Sequence, residues 1–232
     1  MSAPHAPALP VQGLIFDMDG TMVDSMPWHA KSWVEFTRRH GIAMPAGEIL
    51  RRTTGRTGAE CMREVFEREL SEAECLALVH EKEEIYRELF DARFAEVAGF
   101  TAFARLAAAR GLKLAVGTAG DRHNIAFVMQ RLKMDPAPQA LVGGDEGFAG
   151  KPTPAIFLEA ARRIGVAPER CIVFEDAPFG IEAARRGGMR AVAVCSTHSA
   201  EELAGPHVIA AVRDYHELIQ SNFLETLDAA LS

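Results

Sequence analysis

Cysteine is sparse in this chain, and what there is forms no pattern. Cys61, Cys75, Cys171 and Cys195 are the four present, and none shows a CxxC or Cys/His ligand spacing. That excludes a sulfur-rich zinc site and a disulfide framework. Free thiols in a reducing cytoplasm are expected, two of them inside apolar runs. Positive charge is also short: 25 Lys and Arg stand against 32 Asp and Glu, a net charge of −7. A surface for nucleic acid needs excess cations, so no such partner is expected. The Arg pairs at 38–39, 51–52, 162–163 and 185–186 read as solvated helix faces. No uninterrupted apolar run approaches the ~18 residues of a membrane helix, so no membrane partner is expected either. Residues 1–10, rich in Ala and Pro, lack the basic start and apolar centre of a signal peptide and are expected to form a disordered arm. Oligomerisation leaves no mark in the sequence; a monomer is the expectation.

What the sequence does have is Leu14-Ile15-Phe16-Asp17-Met18-Asp19-Gly20-Thr21. An apolar run that stops at two acids reads as a buried strand ending where the acids begin. Gly20 then turns the chain, which brings both carboxylates to one strand tip. Grouped buried anions cost several kcal/mol unless a cation or a shared proton relieves them, on the scale of roughly 3–5 kcal/mol for an uncompensated buried charge. This stretch therefore predicts a metal or a shared proton.

Beyond Asp24 the apolar spacing becomes helical. A helix is expected over Trp28–His40, with Ala30, Trp33, Val34 and Thr37 on one face, and others start near Gly47 and across Met62–Leu70. Ser71 with Glu74 forms a capping-box pattern for a long helix to about Phe90. From residue 94 the reading alternates. Helix Thr101–Arg110 precedes strand Leu112–Gly117, and Asp121 caps a helix to about Lys133. Strand Ala140–Val142 follows, then a helix with Thr153 as N-cap and Pro154 as its first residue, stopped by Gly165. Strand Cys171–Phe174, a helix to Arg186, strand Arg190–Cys195, a strand near Val208–Val212 and a helix over Tyr215–Leu231 complete the chain. Alternation of this kind implies an α/β fold, a doubly wound parallel sheet whose functional crevice lies beyond the strand carboxyl ends. Three strands end in reactive or polar groups: Asp17/Asp19, Thr118 and Glu175/Asp176.

Taken together, Asp17-Met-Asp19-Gly-Thr-Met-Val-Asp24, Thr118 after a strand, Lys151-Pro152 and Phe174-Glu175-Asp176-Ala-Pro-Phe-Gly180 resemble the haloacid dehalogenase superfamily, in the branch of β-phosphoglucomutase and sugar-phosphate phosphatases. The resemblance covers nearly all of the chain beyond residue 10. It implies a Rossmann-like core (11–24 and 94–232) and an inserted helical cap (25–93), hinged near Ser25 and Arg93–Glu96. It implies Asp17 as the nucleophile that becomes an aspartyl phosphate and Asp19 as general acid and base, its carbonyl also on the metal. Glu175 and Asp176 would join Asp17 on Mg2+, an oxygen-seeking cation, Asp176 as the firmer ligand. Thr118 and the backbone at Ala119 would donate to phosphoryl oxygens, and Lys151 would neutralise them. In the cap, His29 falls where the family has a histidine assisting proton transfer, Lys82 near a lysine that contacts sugar phosphate, and Arg56 within two residues of a substrate-binding arginine. As a plain reading, Lys82 is a solvated lysine on a charged helix face, without an ion pair three or four residues away. Asp24 would brace the loop into the cap, and Gly180 would allow close packing.

The function expected is magnesium-dependent hydrolysis of a small phosphorylated metabolite. The alternative is a phosphosugar mutase, towards which His29 and Lys82 lean. A non-catalytic phosphometabolite-binding module is the more distant reading, because such proteins tend to lose Asp17, Asp19 or Lys151.

Overall fold

The computed structural model describes residues 10–53 and 58–229. The expected arm at 1–10 falls almost wholly outside them. Six strands form one sheet: β1 (Gly13–Phe16), β2 (Lys113–Gly117), β3 (Ala140–Val142), β4 (Cys171–Glu175), β5 (Arg190–Val194) and β6 (Val208–Val212), in the order β3-β2-β1-β4-β5-β6. Every pairing is parallel. The order reverses at β1, so the switch point lies between β1 and its neighbours β2 and β4.

Alternate side chains divide the sheet's two faces. Leu14, Phe16, Leu114, Val116, Ile172 and Phe174 pack with Phe100, Phe103 and Tyr215 on one side. Ile15, Ala115, Val173, Ala191 and Ala193 pack with Phe157, Ala160 and Ala184 on the other. Burial on both faces is why these strands read as unbroken apolar runs.

Helices α1 (Met26–Arg39), α2 (Ala46–Thr53), α3 (Gly58–Phe66) and α4 (Glu72–Asp91) form a block with its own apolar cluster of Trp33, Phe36, Met62, Val65 and Ile85. The inward stripe of α1 is Ser32, Trp33, Phe36 and Thr37. Val34, expected there, is exposed, because the buried stripe is centred on Trp33, Phe36 and Thr37 and Val34 lies beyond its edge. Ser71 and Glu74 make both bonds of the expected capping box at the start of α4. The two segments that join the block to the sheet run side by side: the Asp24 N–H donates to the Ala95 carbonyl and the Val97 N–H to that of Met22, both at 3.0 Å. Asp24 therefore braces the crossing through its backbone, while its carboxylate is exposed.

The remaining helices are α5 (Phe100–Ala109), α6 (Arg122–Leu132), α7 (Ala155–Ile164), α8 (Pro178–Arg186), α9 (Tyr215–Gln220) and α10 (Phe223–Ala229). Asp121 caps α6 as expected. Thr153 does not cap α7. Its hydroxyl donates to the carbonyls of Ala149 and Gly150, and Pro154 itself holds the N-cap position. The single helix expected over Tyr215–Leu231 is two, broken at Asn222, whose φ of 52° no α-helix accommodates; Leu231 is outside the described residues. The four Arg pairs share one design, in which a glutamate three and four residues earlier (Glu35, Glu48, Glu159 or Glu182) faces both arginines of the pair.

Candidate active site

The crevice floor is built at the tips of β1 and β4. The Asp17 N–H still donates to the Phe174 carbonyl of β4, at 3.0 Å, which fixes its side chain beside that strand's end. There the Lys151 Nζ donates to Asp17 Oδ1 at 2.5 Å and to Glu175 Oε1 at 2.6 Å. Glu175 Oε2 accepts the Ala177 N–H, at the start of α8. Asp17, Glu175 and Asp176 are buried, and each brings a carboxylate oxygen within 4.8 Å of the others. Burial, followed by the repulsion of Glu175 and Asp176, raises the Asp17 pKa well above the ordinary carboxyl range despite Lys151. Burial and then Glu175 push Asp176 up to about 7, against hydrogen bonds from Thr197 and Thr21. One lysine facing three carboxyls leaves charge that a further cation would relieve.

Two glycines make this density possible. Gly20 has φ +77°, and a Cβ on it would stand 2.3 Å from Asp176 Oδ2. A Cβ on Gly180 would stand 1.7 Å from Glu175 Oε1, so the first turn of α8 passes directly over that carboxylate. Asp176 Oδ1 accepts the Thr21 hydroxyl at 3.2 Å, and Oδ2 accepts that of Thr197. At the tip of β2, Thr118 is buried and accepts the Gly120 N–H at 3.0 Å, which leaves its own hydroxyl proton available to another acceptor. Ala119, beside it, is exposed.

Asp19 turns away from this floor towards the helical block. Its Oδ1 accepts from the Ser25 hydroxyl at 2.7 Å, and contacts His29 Nε2 and the Tyr86 hydroxyl at 3.1 Å each. Burial works to raise its pKa, but the attraction and hydrogen bond of His29, with those of Ser25 and Tyr86, outweigh it and hold the carboxyl at about 2. The His29 ring stacks on Tyr86 at 3.7 Å between centroids, and its Nδ1 lies 2.9 Å from Lys82 Nζ. An ammonium only donates, so that contact puts the ring proton on Nε2, facing Asp19.

Lys82 is therefore not a solvated lysine. It is 3% exposed, enclosed by His29, the rings of Trp33 and Tyr86, and Glu83, whose Oε1 it reaches at 2.9 Å. The partner sits one residue away, not three or four. Arg56 lies outside the described residues. Sequence reasoning missed Ser25, Tyr86, Glu83 and Thr197. Only Tyr86 had a usable signal, four residues beyond Lys82 on the same helix face.

The haloacid dehalogenase-like hydrolases match residues 11–188. This chain belongs to that family. Among its relatives, Fructose-1-phosphate phosphatase YqaB of Escherichia coli K12 is 33% identical over 183 residues, 78% of this chain and 95% of its own. Hexitol phosphatase A of the same organism is 32% identical, over 79% of this chain and 82% of its own. A β-phosphoglucomutase structure from Clostridium difficile superposes with a TM-score of 0.79 at 23% identity, covering 95% of this chain and 99% of its own. That likeness shows the fold. Among the described residues, no helix is long and apolar enough to cross a membrane.

Proposed function

We propose that this chain is a magnesium-dependent phosphatase of a small phosphorylated metabolite, of the sugar-phosphate kind, working through an aspartyl phosphate. The observation that carries this reading is the separation of two aspartates from one turn. Asp17 faces a lysine and two further carboxyls, whereas Asp19 faces a histidine that carries a proton. The names of the two phosphatase relatives support it.

In this mechanism Asp17 attacks phosphorus, and the bond to the substrate's oxygen breaks as the new one forms. Lys151 holds the nucleophile in place and offsets charge on the phosphoryl oxygens, with the Thr118 hydroxyl and the Ala119 backbone as donors. The departing oxygen takes a proton by way of Asp19. Since that carboxyl rests ionised, its proton comes through His29: Nε2, 3.1 Å away, gives its proton to Asp19 as Nδ1 takes one from the Lys82 ammonium, so the ring stays neutral and the proton is drawn from Lys82. Asp19, again a carboxylate, then removes a proton from the water that splits the aspartyl phosphate, which frees phosphate and restores Asp17.

Asp17 and Asp176, with Glu175 and the Asp19 carbonyl, are the oxygen donors that would hold Mg2+, and hard carboxylate oxygens at this spacing suit it. Bound there, the cation supplies charge neutralisation that brings an anionic nucleophile and an anionic substrate together. Helices α1–α4 serve as a cap over the crevice, His29 and Lys82 of this cap lie on its side towards Asp19, and Arg56 is a substrate-binding candidate. Phosphate release from a panel of hexose and hexitol phosphates, with and without magnesium, tests the reading. Efficient conversion of glucose 1-phosphate to the 6-phosphate with negligible free phosphate would replace it by the mutase reading.

A further inference from the structure

The contacts that begin at Asp19 do not stop at Lys82. Glu83 Oε1 accepts from Lys82, and its Oε2 accepts from Asn124 Nδ2 at 2.7 Å. Asn124 belongs to α6, on the sheet side of the crevice, and is 2% exposed. Its Oδ1 accepts from Arg87 Nη1 at 2.8 Å, so the amide has a single orientation that satisfies both partners. Other contacts along this seam are peripheral: the His80 and His123 rings meet edge-on at 5.9 Å, and the Asp91–Arg131 pair is 2.8 Å apart with both side chains well exposed. Beyond the contacts of His29 and Tyr86 with Asp19, the polar links across the seam centre on Asn124, which holds both Glu83 and Arg87 of α4.

Lys82 and Glu83 ride on the helical block, whereas Asn124 and Asp19 ride on the core. We infer that Glu83 is a positioning residue: clasped by Asn124 when the cap is seated, it holds Lys82 on His29 and so aims the His29 proton at Asp19. Proton delivery is thereby coupled to cap seating through a named hydrogen bond. This rests on the phosphatase reading and on Asp19 as proton carrier. It adds residues that have no contact with the reacting atoms.

Donor and acceptor chemistry makes the test sharp. In Glu83→Gln the new amide meets either Asn124 Nδ2 or Lys82 donor to donor, so one contact is lost. In Asn124→Asp a carboxylate faces the Glu83 carboxylate. The double exchange restores all three bonds: Arg87 to Asp, Gln to Asp, and Lys82 to the Gln carbonyl.

The readout is kcat/KM for the parent's best hexose or hexitol phosphate divided by that for p-nitrophenyl phosphate, both with saturating magnesium. The alkoxide needs a proton to leave and the nitrophenolate does not. Because kcat/KM covers only the steps through departure, hydrolysis of the aspartyl phosphate does not mask the difference. Each single exchange is expected to lower the ratio about tenfold, a fraction of the 10²–10⁴ available from a general acid, and the double exchange to restore it to within about threefold of the parent. An unchanged ratio in both singles overturns the inference. So does an equal loss on both substrates accompanied by a lower Tm, which marks a merely structural contact, or a double exchange no better than either single. A parent that releases phosphate from neither substrate overturns the phosphatase reading first, and this one with it.

Discussion

The floor and the roof of the crevice each take one aspartate from the same turn and treat it in opposite ways. On the floor, Asp17 is crowded by Glu175 and Asp176 and relieved by one lysine, and its pKa is driven up. Under the roof, Asp19 meets donors from Ser25, His29 and Tyr86, and its carboxyl is held at about 2. Two residues of separation thus yield one carboxyl that must share its lysine with Glu175 and one that is fully partnered as an anion. The first arrangement suits a nucleophile assembled with a metal, the second a base fed by an external proton. The difference comes from what each strand tip and helix brings to the carboxylate, since the two side chains are chemically identical.

Removing the floor aspartate should have the largest effect. Asp17→Asn is expected to lower phosphate release by at least about 10⁴-fold, the scale seen when a covalent nucleophile is lost, with the far-ultraviolet circular dichroism unchanged. Residual turnover within tenfold of the parent would remove Asp17 from the nucleophile's role. Metal dependence should also belong to the floor alone. Magnesium at about 100 times its Kd should stabilise the parent by about 2.7 kcal/mol, seen as a rise in Tm that chelation abolishes and that Asp176→Asn greatly reduces. A rise equally large in Asp176→Asn would move the cation elsewhere. The roof comes next. His29→Asn should cost about 10²-fold in kcat/KM for a hexose phosphate, the low end of general acid–base catalysis, while leaving the magnesium-dependent rise in Tm intact. Loss of that rise would show the two regions to be one.

How much of this was legible beforehand divides along the same line. Asp17, Thr118 and Glu175/Asp176 stand directly after apolar runs, so strand periodicity alone placed them at strand tips, and a parallel sheet gathers tips at one end. Lys151 needed the family resemblance, since nothing local marks it. The roof was harder because its contacts come from packing between helices. Lys82 looked solvated in a run of charges, and only the seating of α4 against α1 buries it. Asn124 resembled an ordinary first-turn residue behind the Asp121 cap; its bond to Glu83 spans 41 positions. Thr197 carries no motif at all. The pairing of β5 with β4 brings the chain beyond it to Asp176. The misplaced face of α1 has a simpler cause: with apolar residues at both 33 and 34, helical spacing defines a broad stripe, and the packing partner chooses its centre.

The smallest predicted effect concerns the seam, and its sign follows from Glu83. Burial raises the pKa of this carboxyl, but the charges of Lys82 and His29 and the bonds from Lys82 and Asn124 prevail, so it ends below its ordinary value. A carboxyl lowered in the folded state adds stability above its unfolded pKa, and that stability is lost as pH falls through the folded one. At pH 7 Glu83→Gln should therefore lower stability by about 1.5 kcal/mol, the scale of one hydrogen bond to a charged group, or roughly 4 °C in Tm for a chain of this size. The gap between parent and variant should narrow as pH falls below the usual glutamate range, where the parent's carboxylate takes up a proton. Melting both proteins from pH 7 down to the acid limit of reversible unfolding measures this directly. A gap that stays constant would mean that Glu83 supports the seam through shape alone, and that its charge has no part in holding Lys82 beneath the roof.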